Sequence, residues 1–177
     1  VFVAASKSQA SIDFCARNGF IPTYFMPTKG VVELSQYYNK VANESGYNVQ
    51  LGQNQNIVRW PHFAANTAEY DRKLRDYDLD IYKNFYGPFF PQFPQGTDDQ
   101  LVQGMKDSGI FTGGTVDEVI AEWKSIYEQV PCEYITLIWH WAQQPKDDML
   151  EELQTFLDKV VPELEVPDFQ PVEAAAE

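Results

Sequence analysis

Four short apolar runs, each handing over to a stretch with helical periodicity, constrain this chain more than anything else in it. The runs are Val1 to Ala5, Ile21 to Phe25, one within Asn56 to Phe63, and Tyr134 to Trp139. They are apolar at successive positions rather than alternate ones, as strands are when both faces are buried. Strands of that kind, separated by helices, make parallel sheets. The expected class is α/β, either half of an eight-stranded (β/α)8 TIM barrel or a small open doubly wound sheet. No G-x-G-x-x-G follows any run, which counts against a dinucleotide-binding open sheet.

The helical stretches carry their own punctuation. Ser8 is placed to cap a helix over Gln9 to Asn18, with Ile12, Cys15 and Ala16 on one face and Gly19 as its stop. Val31, Leu34, Tyr38 and Val41 form the next stripe. Asn66 and Glu69 read as a capping box for a helix whose stripe is Tyr70, Leu74, Tyr77, Ile81 and Phe85. The proline-broken passage "YGPFFPQFPQGTDDQ" comes next, with a short helix expected at Leu101 to Lys106. The whole passage from Gly87 to Gly109 is expected to be a mobile lid. Thr115 and Glu118 form another capping box, with Gly113 and Gly114 as turn residues before it. A last amphipathic helix runs through Met149, Leu153, Phe156 and Val160. Residues 1–164 are expected to be one structural unit, and the acidic residues 165–177 a disordered tail.

Charge narrows the partners. The chain has 26 acidic residues against 13 basic ones, a net charge of -13. Such a field repels phosphate backbones, and no basic patch offsets it, so no nucleic acid partner is expected. No stretch approaches the ~20 apolar residues of a membrane span, and no secretory leader pattern opens the sequence. A cytoplasmic protein without a membrane partner is expected. Cys15 and Cys132 lack C-x-x-C spacing and are expected to be buried free thiols.

Three segments, in order, resemble the C-terminal half of luciferase-like flavin-dependent monooxygenases, the family of bacterial luciferase and alkanesulfonate monooxygenase. "VFVAASKSQASIDFCARNG" is similar to that family's fifth barrel strand, flavin-phosphate turn and following helix. "FTGGTVDEVIAEW" resembles its G-[ST]-P-E-E-V helix start, with Val116 where Pro is common. "ITLIWHWAQQPKDDMLEELQTFLDKVVPEL" resembles its eighth strand, the loop after it and the closing helix. The resemblance implies strands five to eight of the barrel, with strands one to four missing. It also implies reduced FMN supplied by a separate flavin reductase, O2, and a small organic substrate. Phosphate contacts carry over onto Ser6, Ser8 and Gln9, with Lys7 adding charge. Ala5 stands where bacterial luciferases have an acidic residue. Without the resemblance, this turn reads as an ordinary helix cap.

Strand ends at the C-terminal face of a barrel meet the active site. That selects Tyr24, Phe25, Met26, His62, Phe63, Trp139, His140 and Trp141 as a flavin and substrate pocket, against the simpler reading of aromatic packing. His62 and His140 lack metal-ligand spacing, so no metal is expected, and each reads as a satisfied structural residue. No nucleophile–base pair and no paired carboxylates stand out. The family's best-known catalytic histidine lies in the missing half, so no catalytic residue is assigned. Two rival functions remain: a non-catalytic flavin-binding protein on a shortened barrel, and an inactive half barrel that self-associates to bury its edges. A homo-oligomer is expected, with two copies closing on each other.

Overall fold

A computed structural model of the chain describes residues 1–5, 8–89, 96–140 and 143–172. The elements in order are β1 (Phe2–Ala5), α1 (Gln9–Arg17), β2 (Ile21–Tyr24), α2 (Thr28–Glu44), β3 (Asn56–Phe63), α3 (Thr67–Lys73), α4 (Leu79–Ile81), α5 (Gly87–Phe89), α6 (Asp98–Asp107), β4 (Phe111–Gly114), α7 (Val116–Gln129), β5 (Tyr134–Leu137) and α8 (Lys146–Thr155). π-helical turns at Leu74–Asp78 and Tyr82–Tyr86 separate α3, α4 and α5, and a third, Phe156–Val160, continues α8. The chain forms two compact units, one of residues Val1–Arg59, Trp123–Leu137 and Leu164 onward, the other of Trp60–Glu122 and Ile138–Glu163.

In the first unit every strand pairing is parallel. β1 meets β2 from Phe2↔Ile21 to Ala5↔Tyr24, β2 meets β3 at Thr23↔Asn56 and Tyr24↔Ile57, and β3 meets β5 from Asn56↔Tyr134 to Arg59↔Leu137. These are the four expected strands, in the expected order. Ile12, Cys15 and Ala16 of α1 and Val31, Tyr38 and Val41 of α2 are buried. Full burial of such side chains is worth about 1.5–3 kcal/mol for each of the larger ones. Gly19 ends α1 at φ +63, and a Cβ there would stand 3.0 Å from the Tyr47 ring, so the expected glycine stop is required twice over. Buried Arg59 donates to the Met26 carbonyl (3.1 Å), its neighbour Val58 (2.8 Å) and Thr28 Oγ1 (2.9 Å). Cys15 and Cys132 are free and buried, as expected.

The other face of this sheet is curled. Asn56 Nδ2 donates to Thr23 Oγ1 (3.2 Å) and Thr136 Oγ1 (3.0 Å), joining three strands. The Phe2 and Tyr134 rings meet edge to face with centroids 5.2 Å apart. β1 and β5 are three strand spacings apart, roughly 14 Å in a flat sheet at ~4.8 Å each. Their rings touch only because the sheet bends toward that face.

The second unit begins in the second half of β3, which pairs in parallel with β4 from Trp60↔Phe111 to Phe63↔Gly114. β4 corrects the sequence reading, in which Gly113 and Gly114 were turn residues only. Two glycines in four residues depress strand propensity, but a Cβ on Gly113 would lie 2.3 Å from the Tyr70 ring and 2.7 Å from the His62 carbonyl. Pairing with β3 therefore selects glycine here, and tertiary contact overrides propensity. The Thr115–Glu118 box is present: Thr115 N donates to Glu118 Oε2 (2.8 Å) and Glu118 N to Thr115 Oγ1 (3.3 Å).

Asn66 caps α3 by accepting from Glu69 N (3.0 Å), while the Glu69 carboxylate reaches back to Ala65 N (2.8 Å) rather than to Asn66. The expected stripe holds through Tyr70, Leu74 and Tyr77 and then fails, since Phe85 is 54% exposed. The π-helical turns are the reason. Each widened turn rotates the residues beyond it about the helix axis, so a 3.6-residue stripe cannot continue across it. α6 is longer than expected and is opened by a Thr97–Gln100 capping box, with Leu101, Val102 and Met105 buried. The part of the expected lid at residues 90–95 lies outside the described residues. Among the described residues no helix is long and apolar enough to cross a membrane.

Candidate functional site

The second unit contains a buried ionic cluster centred on His62. α3 is an ordinary helix as far as Lys73; the π-helical turn Leu74–Asp78 then carries Asp78 into the interior, fully buried. His62 Nε2 lies 2.7 Å from Asp78 Oδ2, and Nδ1 lies 3.0 Å from Glu152 Oε2. Glu152 comes from α8, where it is a buried carboxylate on an otherwise charged helix. Lys73 Nζ donates to Glu152 Oε1 (2.6 Å) and to the Phe63 carbonyl (2.6 Å). Trp139 Nε1 (2.8 Å) and Gln144 Nε2 (3.0 Å) complete four donors to one carboxylate.

The partners fix the protons. Ionised carboxylates only accept, so His62 must donate from both nitrogens and is an imidazolium. Burial disfavours that charge, but hydrogen bonds to Asp78 and Glu152 more than reverse it and raise His62 to about 9. Burial likewise opposes ionised Glu152, yet the His62 bond and charge, with Lys73 and Gln144, hold it at about 2. Asp78 is also lowered against its burial, by His140 and His62. Two cations, His62 and Lys73, thus balance two anions, Asp78 and Glu152.

His140 closes the other end. Its Nδ1 is 2.6 Å from Asp78 Oδ1, and its Nε2 is 3.2 Å from Trp60 Nε1. An indole N–H can only donate, so Nε2 accepts, and the ring proton sits on Nδ1 facing Asp78. Asp78 therefore holds one imidazole charged and the other in a single neutral tautomer.

Beside the cluster a cleft of about 580 Å³ opens at the C-terminal end of β3, walled by Phe63, Ala65, Arg72 and Lys73 on one side and Glu151 and Glu152 on the other. Lys73 and Glu152 belong to both cleft and cluster. The glycine turn at Gly113–Thr115 offers no free anion nest, because the Glu118 carboxylate already occupies it, accepting from Thr115 N and Oγ1.

Of the residues selected from the sequence, the structure brings His62, Trp139 and His140 together in this unit. Tyr24 and Met26 belong to the first unit. The Tyr24 hydroxyl is buried and donates to Gln55 Oε1 (2.7 Å), in electrostatic reach of Cys132, Tyr38 and Cys15. Tyr24 is thus a core residue rather than part of a rim. Ser8 and Gln9 are exposed at the start of α1, and Ser8 makes no side-chain capping bond. Ser6, Lys7 and Trp141 lie outside the described residues. Sequence reasoning missed Asp78, Glu152 and Lys73, and the absence of paired carboxylates is corrected: two converge on His62. The usable signal was His62 itself, an imidazole in a strand buried on both faces, which needs buried partners. Among the described residues no group of three or more His, Cys, Asp or Glu side chains could hold a metal ion.

No protein-family model and no curated protein sequence matches the chain. Solved structures do. The oxygenating constituent of 3,6-diketocamphane monooxygenase from Pseudomonas putida, a type II Baeyer-Villiger monooxygenase in complex with FMN, aligns at TM-score 0.72 and 16% identity, over 94% of this chain and 49% of that one. The monooxygenase RslO1 from Streptomyces bottropensis aligns at 0.56 and 17%, over 91% and 47%. The long-chain alkane monooxygenase LadA aligns at 0.58 and 16%, over 97% and 43%. The chain has the α/β fold, with a parallel sheet, of luciferase-like monooxygenases. It spans about half the length of these proteins, and at such identities the likeness is one of fold.

Proposed function

We propose that the chain is the FMN-binding half of a monooxygenase barrel, strands five to eight, that uses reduced FMN and O2 to oxidise a small organic substrate. The observation that carries this reading is the likeness, over nearly the whole chain, to an oxygenating constituent solved with FMN. The order of the three sequence motifs supports it. The flavin phosphate is assigned to the turn of Ser6, Lys7, Ser8 and Gln9. The described part of that turn suits an anion: α1 has no acidic residue in its first turn, and the Ser8 hydroxyl is not used as a cap. The positive end of the helix dipole and one hydroxyl remain available.

Reduced FMN, delivered by a separate reductase in the cytoplasm, supplies the electrons that activate O2. In the second unit, Trp139 and His140 are the groups we assign to contact with flavin or substrate. Glu152 orients the Trp139 indole and Asp78 fixes the His140 tautomer, so His62 and Asp78 act as positioning residues. A largely buried, internally neutral network of this kind also leaves little room for water among its members. One observation favours a second reading, a flavin-binding protein without turnover: both ring nitrogens of His62 and of His140 are engaged, which leaves neither free to take a substrate proton. Oxygen consumption with NADH and a flavin reductase separates the two.

The phosphate assignment is tested by titrating a complete barrel containing this half with FMN and riboflavin. Hydrogen bonds to a charged group are worth about 1.5–3 kcal/mol each, so FMN should bind at least about tenfold tighter. Ser8→Ala together with Ser6→Ala should weaken FMN and leave riboflavin unchanged. Equal affinity for the two flavins would remove the phosphate from this turn.

A further inference from the structure

Two imidazoles share one carboxylate in the second unit. Asp78 accepts from His62 Nε2 at Oδ2 (2.7 Å) and from His140 Nδ1 at Oδ1 (2.6 Å). At rest the charged ring is His62, and His140 is neutral with its lone pair on Nε2. A proton taken up by His140 puts a second cation beside Asp78, and the cluster, neutral until then, carries an excess charge in a buried setting. A way out for a proton begins at the other nitrogen of His62. Nδ1 straddles the Glu152 carboxylate, 3.0 Å from Oε2 and 3.4 Å from Oε1, and Oε1 is the atom 2.6 Å from Lys73 Nζ. Exposure rises along this line. The side chains of Asp78 and His62 are 0% and 1% exposed, that of Glu152 4% and that of Lys73 13%. An ammonium has three donors; two of those on Lys73 go to Glu152 and the Phe63 carbonyl, and the third is left for the cleft that Lys73 lines.

We propose that this line is a proton path: a proton taken up at His140 Nε2 is matched by one released from His62 Nδ1, through Glu152 and Lys73, into the cleft. The balance closes. The Trp60 indole gives up its bond to Nε2 (3.2 Å), and the incoming proton makes His140 an imidazolium paired with Asp78. His62 Nδ1–H passes to Glu152 Oε1. Lys73 gives its third proton to water in the cleft, and Glu152 hands its new proton to the Lys73 amine. His62 ends neutral, still donating from Nε2 to Asp78, while Glu152 and Lys73 end as they began. One proton enters and one leaves, and a single positive charge has moved from one ring to the other across Asp78. The cluster thus takes a proton from a reacting group without gaining charge. All of these groups lie in the second unit. The inference rests on the assignment of His140 to contact with flavin or substrate, and adds the route by which a proton leaves.

Hydrogen exchange of ring protons in the full chain, followed by NMR without flavin, tests the path. Trp60 Nε1–H is the internal clock, because a buried indole N–H in the same unit exchanges only through local opening. After division by the intrinsic rate of each group, His62 Nδ1–H should be at least tenfold less protected than Trp60 Nε1–H. Low urea should hasten the indole and not the imidazole. Lys73→Arg keeps the charge and the hydrogen bonds but cannot release a proton, so it should raise His62 protection at least tenfold. A merely structural ion pair predicts full rescue by arginine instead. If the arginine variant does not fold, the urea comparison in the wild type decides. His140→Lys fixes a charge at the far end, and His62 should then hold its proton at least tenfold less tightly. Equal protection of the two ring protons, an arginine variant that exchanges like the wild type, or a His62 indifferent to His140→Lys would overturn the proposal. None of these measurements involves flavin, so the path and the flavin assignment fail separately.

Discussion

Glu152 accepts from His62, Lys73, Trp139 and Gln144, and a single proton-sized change there disturbs all four. Glu152→Gln leaves the His62 imidazolium beside one carboxylate instead of two and turns a pure acceptor into a mixed group. Breaking a buried pair by removing one partner costs about 3–5 kcal/mol, and a loss of that size is expected in urea denaturation. The cluster also sets the pH window of stability. His62 is raised from 6.5 to about 9, so its contribution is complete below pH 6.5 and is lost as pH rises through 9. Glu152 is lowered from 4.5 to about 2, so its contribution is complete above pH 4.5 and is lost as pH falls through 2. Stability should be flat between those limits, and His62→Gln should abolish the alkaline limb. A ring-nitrogen NMR spectrum at pH 7 should show His62 as the charged form, and a neutral ring there would refute the proton assignment.

Elements differ in how far their sequence announced them. β1, β2, the first half of β3 and β5 were legible because each lies in a short run rich in apolar and β-branched residues between helical patterns, although of the four only β3 is buried at every position. α1 and α7 were legible through caps, since Gly19, Thr115 and Glu118 act locally. β4 was not, because Gly113 is selected by the Tyr70 ring and the His62 carbonyl, contacts distant in sequence. Gly113→Ala should therefore destabilise the chain by about 1–3 kcal/mol, the usual cost of overpacking, although alanine has the better intrinsic propensity; a neutral or stabilising result in thermal denaturation would contradict that packing. The charged half of the site was hidden for a related reason. Asp78 stands four residues after Leu74 and eight after Tyr70, on the inward stripe itself, where a lone acid reads as a break in the stripe rather than as a partner for His62. Glu152 sits among Glu151, Asp148 and Asp147 and reads as one more solvated acid.

At the scale of the whole molecule, charge and chain length set the behaviour. A net charge of -13 over 177 residues works against compactness through self-repulsion. Raising ionic strength from roughly 0.01 M, where the Debye length is ~30 Å, to about 0.15 M, where it is ~8 Å, should raise the melting temperature; a fall would mean that screened attractive pairs outweigh the repulsion. The first unit also carries two thiols in its interior. Burial raises both, Cys132 to about 12 and Cys15 in the same direction, and the thiolate is the reactive form. An alkylating reagent at neutral pH can therefore modify either one only during moments when the packing around it opens. The rate of modification becomes a clock for those openings, read without any label added to the protein, and comparison of the two positions would show whether the α1 side and the β5 side of the sheet breathe together or apart.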